Sequence, residues 1–441
     1  MTMAAESGIA RRLEPVRRLR GKVSLPGDKS ISHRMAMLAA IAEGETFIEG
    51  YSESADCGAT LDCLRRLGVR LQATDSGVHI RGAGKTGLQP SPVMLDAANS
   101  GTTIRVLAGI LAGQPFETSI TGDASLRRRP MRRIIEPLRQ MGASVSATDD
   151  NLAPLTIRGG ALRGITYEPP VASAQVKSCL LLAGLFAEGE TTVLEPVPTR
   201  DHTERLLRAF GVSVTCRGAA RTVSGHSRLQ SPGRLRAPGD FSAAAFWLAA
   251  GLMVESAELV LEDVGLNPTR TGLLTVLREA GCAIEVVNER LVGGEPIGDL
   301  QVNASTLRPS RPLRLAGALT ANAIDEVPIL AVLGAAFHGA EVSDAGELRV
   351  KESDRLALIV RNLRAMGVEV EERADGLTVP GGQRFRGASI ETAGDHRIAM
   401  AFAVAALVAD GPTTLDDAGC VGVSFPNFFT VLEQLRGQGP G

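Results

Sequence analysis

Apolar residues along this chain follow a recurring plan. A polar loop leads into an Ala/Leu-rich stretch with helical spacing, a Gly follows, and then a short strand rich in Thr and β-branched residues. The plan is clearest over residues 28–49, where the pattern predicts a helix over 32–42 and a strand over 46–48. It recurs over 99–120, 175–194, 240–261, 325–342 and 395–415. An amphipathic helix, a Gly and an alternating strand follow most copies: helix 61–67, 134–141, 206–210, 273–280 and 356–366. The final helix, 428–435, stops before its strand. The chain therefore reads as six βα-type units with the last one truncated. The segment 16–23 is expected to supply the missing strand, which would make the two ends of the chain neighbours. Stretches such as 179–187 and 243–254 are apolar all round, so they are expected to be buried on every side. The Pro/Gly/Arg-rich stretch 231–240 is the expected boundary between two halves of three units each.

Composition narrows the class. With 441 residues the chain is long enough for a large core, and length alone suggests about three domains. Lys plus Arg number 47 and Asp plus Glu 49, a balance that argues against a general nucleic-acid binder. Aromatics are 3%, with one Trp and two Tyr, too few for a base- or sugar-stacking surface. The longest nearly apolar stretch, 241–254, is too short to cross a bilayer. The Arg-rich first 22 residues lack the apolar run of a signal peptide. The six Cys form no C-x-x-C pair, which fits reduced thiols in a cytoplasmic protein. Only five of the 47 basic residues are lysine: Lys22, Lys29, Lys85, Lys177 and Lys351.

Chemistry concentrates just before the apolar helices. The loops read Gly27-Asp28-Lys29-Ser30-Ile31-Ser32-His33-Arg34, then Asn99-Ser100-Gly101-Thr102-Thr103 with Arg105 one turn in, then Ser173-Ala174-Gln175-Val176-Lys177. In the second half they read Asp325-Glu326 and Gly394-Asp395-His396-Arg397. Between helices lie Arg127-Arg128-Arg129-Pro130, Arg200-Asp201-His202 and Arg349-Val350-Lys351-Glu352-Ser353-Asp354-Arg355. A helix N-terminus offers free N–H groups and the positive end of a dipole, and neighbouring Lys or Arg makes it an anion site. Any one such Asp or Ser is ordinarily just an N-cap, and Glu352 can simply pair with Arg355 at i+3. Capping does not explain why charged loops recur at repeat-equivalent positions. Together they suit one or two small, multiply anionic substrates. Gly84-Lys85-Thr86 imitates the end of a P-loop, but His79 stands where that motif needs Gly, and Pro90 and Pro92 deny it a helix. No His or Cys spacing suggests a metal site.

These loops resemble the signatures of the 5-enolpyruvylshikimate-3-phosphate synthase family. Leu25-Pro26-Gly27-Asp28-Lys29-Ser30-Ile31-Ser32-His33-Arg34 is similar to its N-terminal signature. Asn99 to Arg105, Arg129-Pro130-Met131, Ser173-Ala174-Gln175, Arg200-Asp201-His202-Thr203-Glu204, Asp325-Glu326-Val327-Pro328, Arg349 to Arg355 and Gly394-Asp395-His396-Arg397 follow in order. The GDKS and SAQ variants resemble the class II bacterial form. The resemblance implies an inside-out α/β barrel of two domains, each of three repeats: 1–22 plus 238–441, and 23–237, with the active site in the cleft between them. It implies transfer of the enolpyruvyl group of phosphoenolpyruvate to the 5-hydroxyl of shikimate 3-phosphate with release of phosphate. No metal and no cofactor are implied, and a cytoplasmic monomer is expected, with no nucleic acid or membrane as partner.

The resemblance also implies roles. Asp325 would be the general base on the attacking hydroxyl, Lys29 a proton-transfer group, and Glu352 the proton donor to the methylene carbon. Lys29, Ser30, Arg34, Ser173, Ala174, Gln175, Arg200, Asp325 and Lys351 would bind shikimate 3-phosphate. Lys29, Gly101, Arg129, Gln175, Arg355 and Arg397 would bind phosphoenolpyruvate. Two positions depart from some family members: Val423 replaces a basic residue before Ser424-Phe425-Pro426, and Glu347 replaces an Asn. Gly101 stands where Ala hinders the herbicide glyphosate, so inhibition by glyphosate is expected. A sister transferase acting on UDP-N-acetylglucosamine typically has Asn after the first Lys and a Cys in the second loop. Here Ser30 follows Lys29, and no Cys lies between Cys63 and Cys179. A non-catalytic anion-binding repeat protein would need no Asp325–Glu352–Lys29 set.

Overall fold

The computed structural model describes residues 8–303 and 307–437, so the expected outermost domain ends lie outside the described residues. The repeats are helix-plus-sheet units, and the chain is α/β with mixed sheets. The six apolar helices are Lys29–Ile41, Gly101–Ala112, Ala174–Gly184, Phe241–Met253, Val327–Ala336 and His396–Ala406. Five are started by a side chain that accepts a backbone N–H in the first turn: Asp28, Ser100, Ser173, Asp240 and Asp395. The Val327 helix instead carries Pro328 in its first turn and continues out of a 3-10 turn, Ile324–Glu326. Every residue of Phe241–Met253 and of His396–Ala406 is buried, as their all-round apolar character demands.

One helical run among the described residues, Ala318–Ala336, matches a membrane span in length and composition, with 19 residues and mean hydropathy 1.4. It exceeds the 241–254 stretch that the sequence suggested as longest. Two-thirds of it (67%) is buried inside the protein, as in a core helix.

Each apolar helix leads into the middle strand of a sheet. Glu117–Thr121 is typical. It pairs in parallel with Leu95–Asp96 (Leu95↔Ile120) and antiparallel with Leu152–Arg158 (Ser119↔Thr156), which turns back onto Ser144–Thr148. Glu190–Leu194 and Ala340–Val342 repeat this arrangement. Two repeats borrow their parallel strand. Arg18–Val23 directly precedes the Lys29 helix but pairs with Ser256–Gly265 (Leu19↔Ala257). Arg234–Arg236 precedes the Phe241 helix but pairs with Glu45–Glu49 (Leu235↔Ile48).

The last repeat, built on Thr413–Leu415, is completed in antiparallel fashion by Arg11–Leu13 (Arg12↔Thr414). The expectation that 16–23 supplies this strand is therefore corrected. Pro15 lacks a ladder donor and breaks the N-terminal segment into two strands, and the second belongs to the Ser256 repeat. Leu13, Leu19 and Val23 are each at most 1% exposed, so both short strands are held by core side chains.

The chain divides into two compact units, with breaks between Pro26 and Gly27 and between Pro238 and Gly239. The hairpin tip Leu291–Glu295 counts with the second. Among the described residues, each unit carries three of the six sheets and one continuous apolar core. One core gathers Trp247, Phe246, Phe425 and Phe428 in edge and tilted ring contacts. In the other, the Gly101 and Ala174 helices approach so closely that a Cβ at Gly109 would stand 2.1 Å from the Cys179 carbonyl oxygen. Only glycine lets the two backbones pack at that distance.

Candidate active site

Two clusters of charged side chains stand at the starts of the apolar helices, one in each unit. In the unit built from Gly27–Pro238, Lys29 opens its helix and its Nζ lies 2.8 Å from Asp56 Oδ2; the two side chains are 14% and 9% exposed. Arg34, one turn further in, is 3% exposed and fully used. Its Nε donates to Thr203 Oγ1, Nη1 to the Ser30 carbonyl and Nη2 to Ser178 Oγ, each at 2.8 Å. Burial, and then the charge of Arg200, pull its guanidinium down to about 10, which still leaves it charged at neutral pH. The neighbouring His33 is buried and hydrogen-bonded through Nδ1 to Thr60 Oγ1 at 2.7 Å. Burial and the cations Lys29 and Arg34 hold its pKa well below the usual value, so it is neutral.

At the second helix start, Arg129 Nη2 donates to Asn99 Oδ1 at 2.6 Å and Nη1 to the Asn99 carbonyl at 3.2 Å. A Cβ at Gly101 would stand 2.8 Å from Arg105 Nη1 and 3.5 Å from Arg129 Nη1, so the glycine has two guanidinium groups over it. Arg105, 8% exposed, donates to Gln175 Oε1 at 2.8 Å and to the Pro130 carbonyl at 3.3 Å. Gln175 Nε2 in turn donates to Thr102 Oγ1 at 3.0 Å. Ser173 caps its helix by accepting the Val176 N–H at 3.4 Å, and Ala174 is the first helical residue. Arg105 thus ties the Gly101 and Ala174 helix starts to the Arg129 loop, whereas the sequence shows the residue and not the link. Asp56 and Ser178 went unmarked, and Thr203 stood in a signature without a role; they meet Lys29 and Arg34 across 27, 144 and 169 positions of chain.

The unit that holds residues 296–437 has the opposite emphasis. Asp325 lies in the 3-10 turn before Val327, and two arginines face it. Arg355 Nη1 is 3.5 Å from Asp325 Oδ1, and Arg397 Nη2 is 3.7 Å from Oδ2. Arg397 Nη1 donates to the Asp325 carbonyl at 3.3 Å. Arg355 is 1% exposed and also binds Asp395 Oδ2 through Nε at 2.8 Å and Glu352 Oε2 through Nη2 at 2.5 Å. Burial opposes its charge, but Asp395, Glu352 and Asp325 together push its pKa up. The i+3 pairing of Glu352 with Arg355, weighed above as the simple alternative, is present. Lys351 follows a 3-10 turn and makes no ion pair among the described residues.

The remaining lysines are structural. Lys177 is buried between Glu195 (2.9 Å) and Glu204 (2.7 Å), Lys22 pairs with Glu262 at 2.7 Å, and Lys85 donates to the Gly225 and Ser227 carbonyls. Such clusters suit anions carrying both carboxylate and phosphate groups, next to a carboxylate able to take a proton.

Comparison with known proteins agrees with these chemical features. A sequence model of the family EPSP synthase (3-phosphoshikimate 1-carboxyvinyltransferase) matches residues 13–432. A 3-phosphoshikimate 1-carboxyvinyltransferase of Solibacter usitatus is 51% identical over 427 residues, spanning 96% of this chain and 99% of that one. One from Synechococcus is 52% identical over 441 residues, covering 99% and 98%. The solved structure of EPSP synthase from Acinetobacter baumannii superposes with a TM-score of 0.85 at 42% identity, covering 97% of each chain. With 42–52% of its residues shared with these enzymes over almost its whole length, the chain belongs to the EPSP synthase family.

Proposed function

We propose that the protein transfers the enolpyruvyl group of phosphoenolpyruvate to the 5-hydroxyl of shikimate 3-phosphate, by addition and then elimination. The observation that carries this reading is Asp325, a carboxylate held between Arg355 and Arg397. Asp325 takes the proton of the 5-hydroxyl as its oxygen attacks C2 of phosphoenolpyruvate, and C3 gains a proton to become a methyl group. The tetrahedral adduct then returns a methyl proton to the carboxylate that protonated C3 while the bond from C2 to the phosphate oxygen breaks, and phosphate leaves.

In this reading Glu352 supplies the proton to C3. Its Oε2 accepts from Arg355 Nη2, which places the carboxyl beside a cation assigned to phosphoenolpyruvate. Lys29 assists proton transfer beside phosphoenolpyruvate, where an ammonium can exchange a proton and a guanidinium cannot. Shikimate 3-phosphate is assigned to Lys29, Ser30, Arg34, Ser173, Ala174, Gln175, Arg200, Asp325 and Lys351. Phosphoenolpyruvate is assigned to Lys29, Gly101, Arg129, Gln175, Arg355 and Arg397. Because the cations are already held by their own hydrogen bonds, little reorganisation is needed as charge develops.

The reading extends to an inside-out α/β barrel for each unit, in keeping with its fully buried helices and three sheets. It also takes in a cytoplasmic monomer, in keeping with six unpaired thiols. The test is phosphate release from phosphoenolpyruvate with shikimate 3-phosphate against UDP-N-acetylglucosamine. Release is expected with the first acceptor alone; dependence on neither overturns the reading.

A further inference from the structure

Asp325 shares its turn with a second carboxylate. Glu326 is 1% exposed, and a buried arginine outside the roles above, Arg270, meets it. Arg270 Nη1 donates to Glu326 Oε2 at 2.9 Å and Nη2 donates to Oε1 at 3.0 Å, a two-point clasp. Ser242 hydrogen-bonds both members of the pair, and Asp240 Oδ1 lies 4.0 Å from Nη2. Burial works against the charge on Arg270, but Glu326 and Asp240 hold its pKa up.

The loop that carries Arg270 is fastened to the helix leading into the Asp325 turn, Ala318–Ala323. Asn322 Nδ2 donates to the Pro268 carbonyl at 2.8 Å, and Asn322 Oδ1 accepts the Gly272 N–H at 3.1 Å. A Cβ at Gly272 would stand 2.9 Å from Ala323 Cβ, so loop and helix meet with no room for a methyl group. Asn267 Oδ1 closes the loop by accepting from the Thr269 N–H at 2.9 Å and its hydroxyl at 2.8 Å. The loop, the helix and the turn therefore form one braced assembly.

Arg397 links this assembly to the chemistry. Its Nη1 lies 3.8 Å from Glu326 Oε1 as well as 3.3 Å from the Asp325 carbonyl. A Glu326 left without Arg270 would draw Arg397 onto itself, and the anionic substrate would lose a cation. We propose that Arg270 is a positioning residue for the transfer: by clasping Glu326 it holds the turn that presents Asp325 and keeps Arg397 available to phosphoenolpyruvate. This rests on the roles given above to Asp325 and Arg397.

The test compares three variants with wild type by phosphate release at saturating shikimate 3-phosphate, on protein verified as folded by circular dichroism. Arg270→Met leaves Glu326 to compete for Arg397 and is expected to lower kcat/KM for phosphoenolpyruvate about tenfold or more, the scale of a lost charge-assisted bond. Arg270→Lys keeps the charge without the clasp and should lose less. Arg270→Met combined with Glu326→Leu removes both charges and should recover about threefold of the loss, as coupled neighbours do. If Arg270→Met does not fold, the lysine variant and the double variant carry the comparison. Variants that melt earlier but keep wild-type kcat and KM would make Arg270 merely structural and overturn the proposal, as would a double variant with no recovery. Wild-type protein that releases no phosphate would overturn the parent reading instead, and this proposal with it.

Discussion

Gly101→Ala adds one methyl group at a place where its surroundings are fully specified. The new Cβ would stand 2.8 Å from Arg105 Nη1, while ordinary contact begins at 3.4 Å, so the guanidinium must retreat by 3.4 − 2.8 = 0.6 Å. That same nitrogen donates to Gln175 Oε1 at 2.8 Å, and Gln175 is assigned to both substrates. A retreat along the bond stretches it to about 3.4 Å, beyond the usual hydrogen-bond range. A hydrogen bond from a charged donor is worth roughly 1.5–3 kcal/mol, and about half of that is at stake here. The expected result is a rise of about three- to twelvefold in KM for phosphoenolpyruvate, since 1.4 kcal/mol is a factor of ten. Arg129 Nη1, at 3.5 Å, is already at ordinary contact and need not move. Glyphosate inhibition should weaken as well, because the methyl group occupies the same helix start. The assay is initial-rate phosphate release at varied phosphoenolpyruvate, with and without glyphosate, alongside a thermal melt. The melting midpoint should change little, because the gain of Ala over Gly as a helix former opposes the weakened Arg105–Gln175 bond. Equal KM and equal inhibition in the two proteins would refute the reasoning.

Lys29→Arg keeps the charge facing Asp56 but replaces an ammonium that can exchange a proton with a guanidinium that cannot, so kcat should fall by about 10²-fold or more with the fold intact. Wild-type turnover in that variant would remove Lys29 from the chemistry. His33 is held neutral in the fold, so as pH falls below about 6.5 the unfolded chain gains a proton that the folded chain refuses, and stability drops. His33→Gln should flatten the slope of unfolding free energy against pH, taken from urea melts between pH 7 and 5.5, by up to about 1.4 kcal/mol per pH unit; identical slopes would contradict this. Five of the six thiols are buried and Cys216 is exposed. Burial pushes Cys57, Cys63 and Cys420 up to about 12 and Cys282 to about 11. A thiol reagent should therefore add once to the native protein, at Cys216, and six times after unfolding; several fast native additions would show the core is more open than described.

Much of the local plan was legible in the chain. The apolar helices announce themselves because they are apolar on every side, as in Phe241–Met253, and their starts are marked by Asp or Ser caps. Charged loops recurring near those starts were legible, Lys29, Arg34, Asp325 and Arg397 among them, and the resemblance to the family added Gly101, Arg129 and Arg355 as expected site residues. The partners of these groups were not legible. Asp56 reaches Lys29 from 27 positions away, and Arg105 reaches Gln175 across 70. Arg270 sits before an ordinary amphipathic helix, and no periodicity distinguishes it from a solvated charge.

By itself, then, the sequence determined which segments become helices and strands and which loops hold charge, because periodicity, capping and turn chemistry act over a few residues. Tertiary structure alone decided the exchange of Arg18–Val23 and Arg234–Arg236 between repeats, and the choice of Arg11–Leu13 for the last sheet. Strand partners are selected by which core faces must be covered together, and short strands of similar composition look alike in one dimension. The same holds for the charges. Whether Glu326 or Arg270 is a lone buried ion or half of a clasp depends on a contact across 56 residues, and that contact exists only once the core has formed around it.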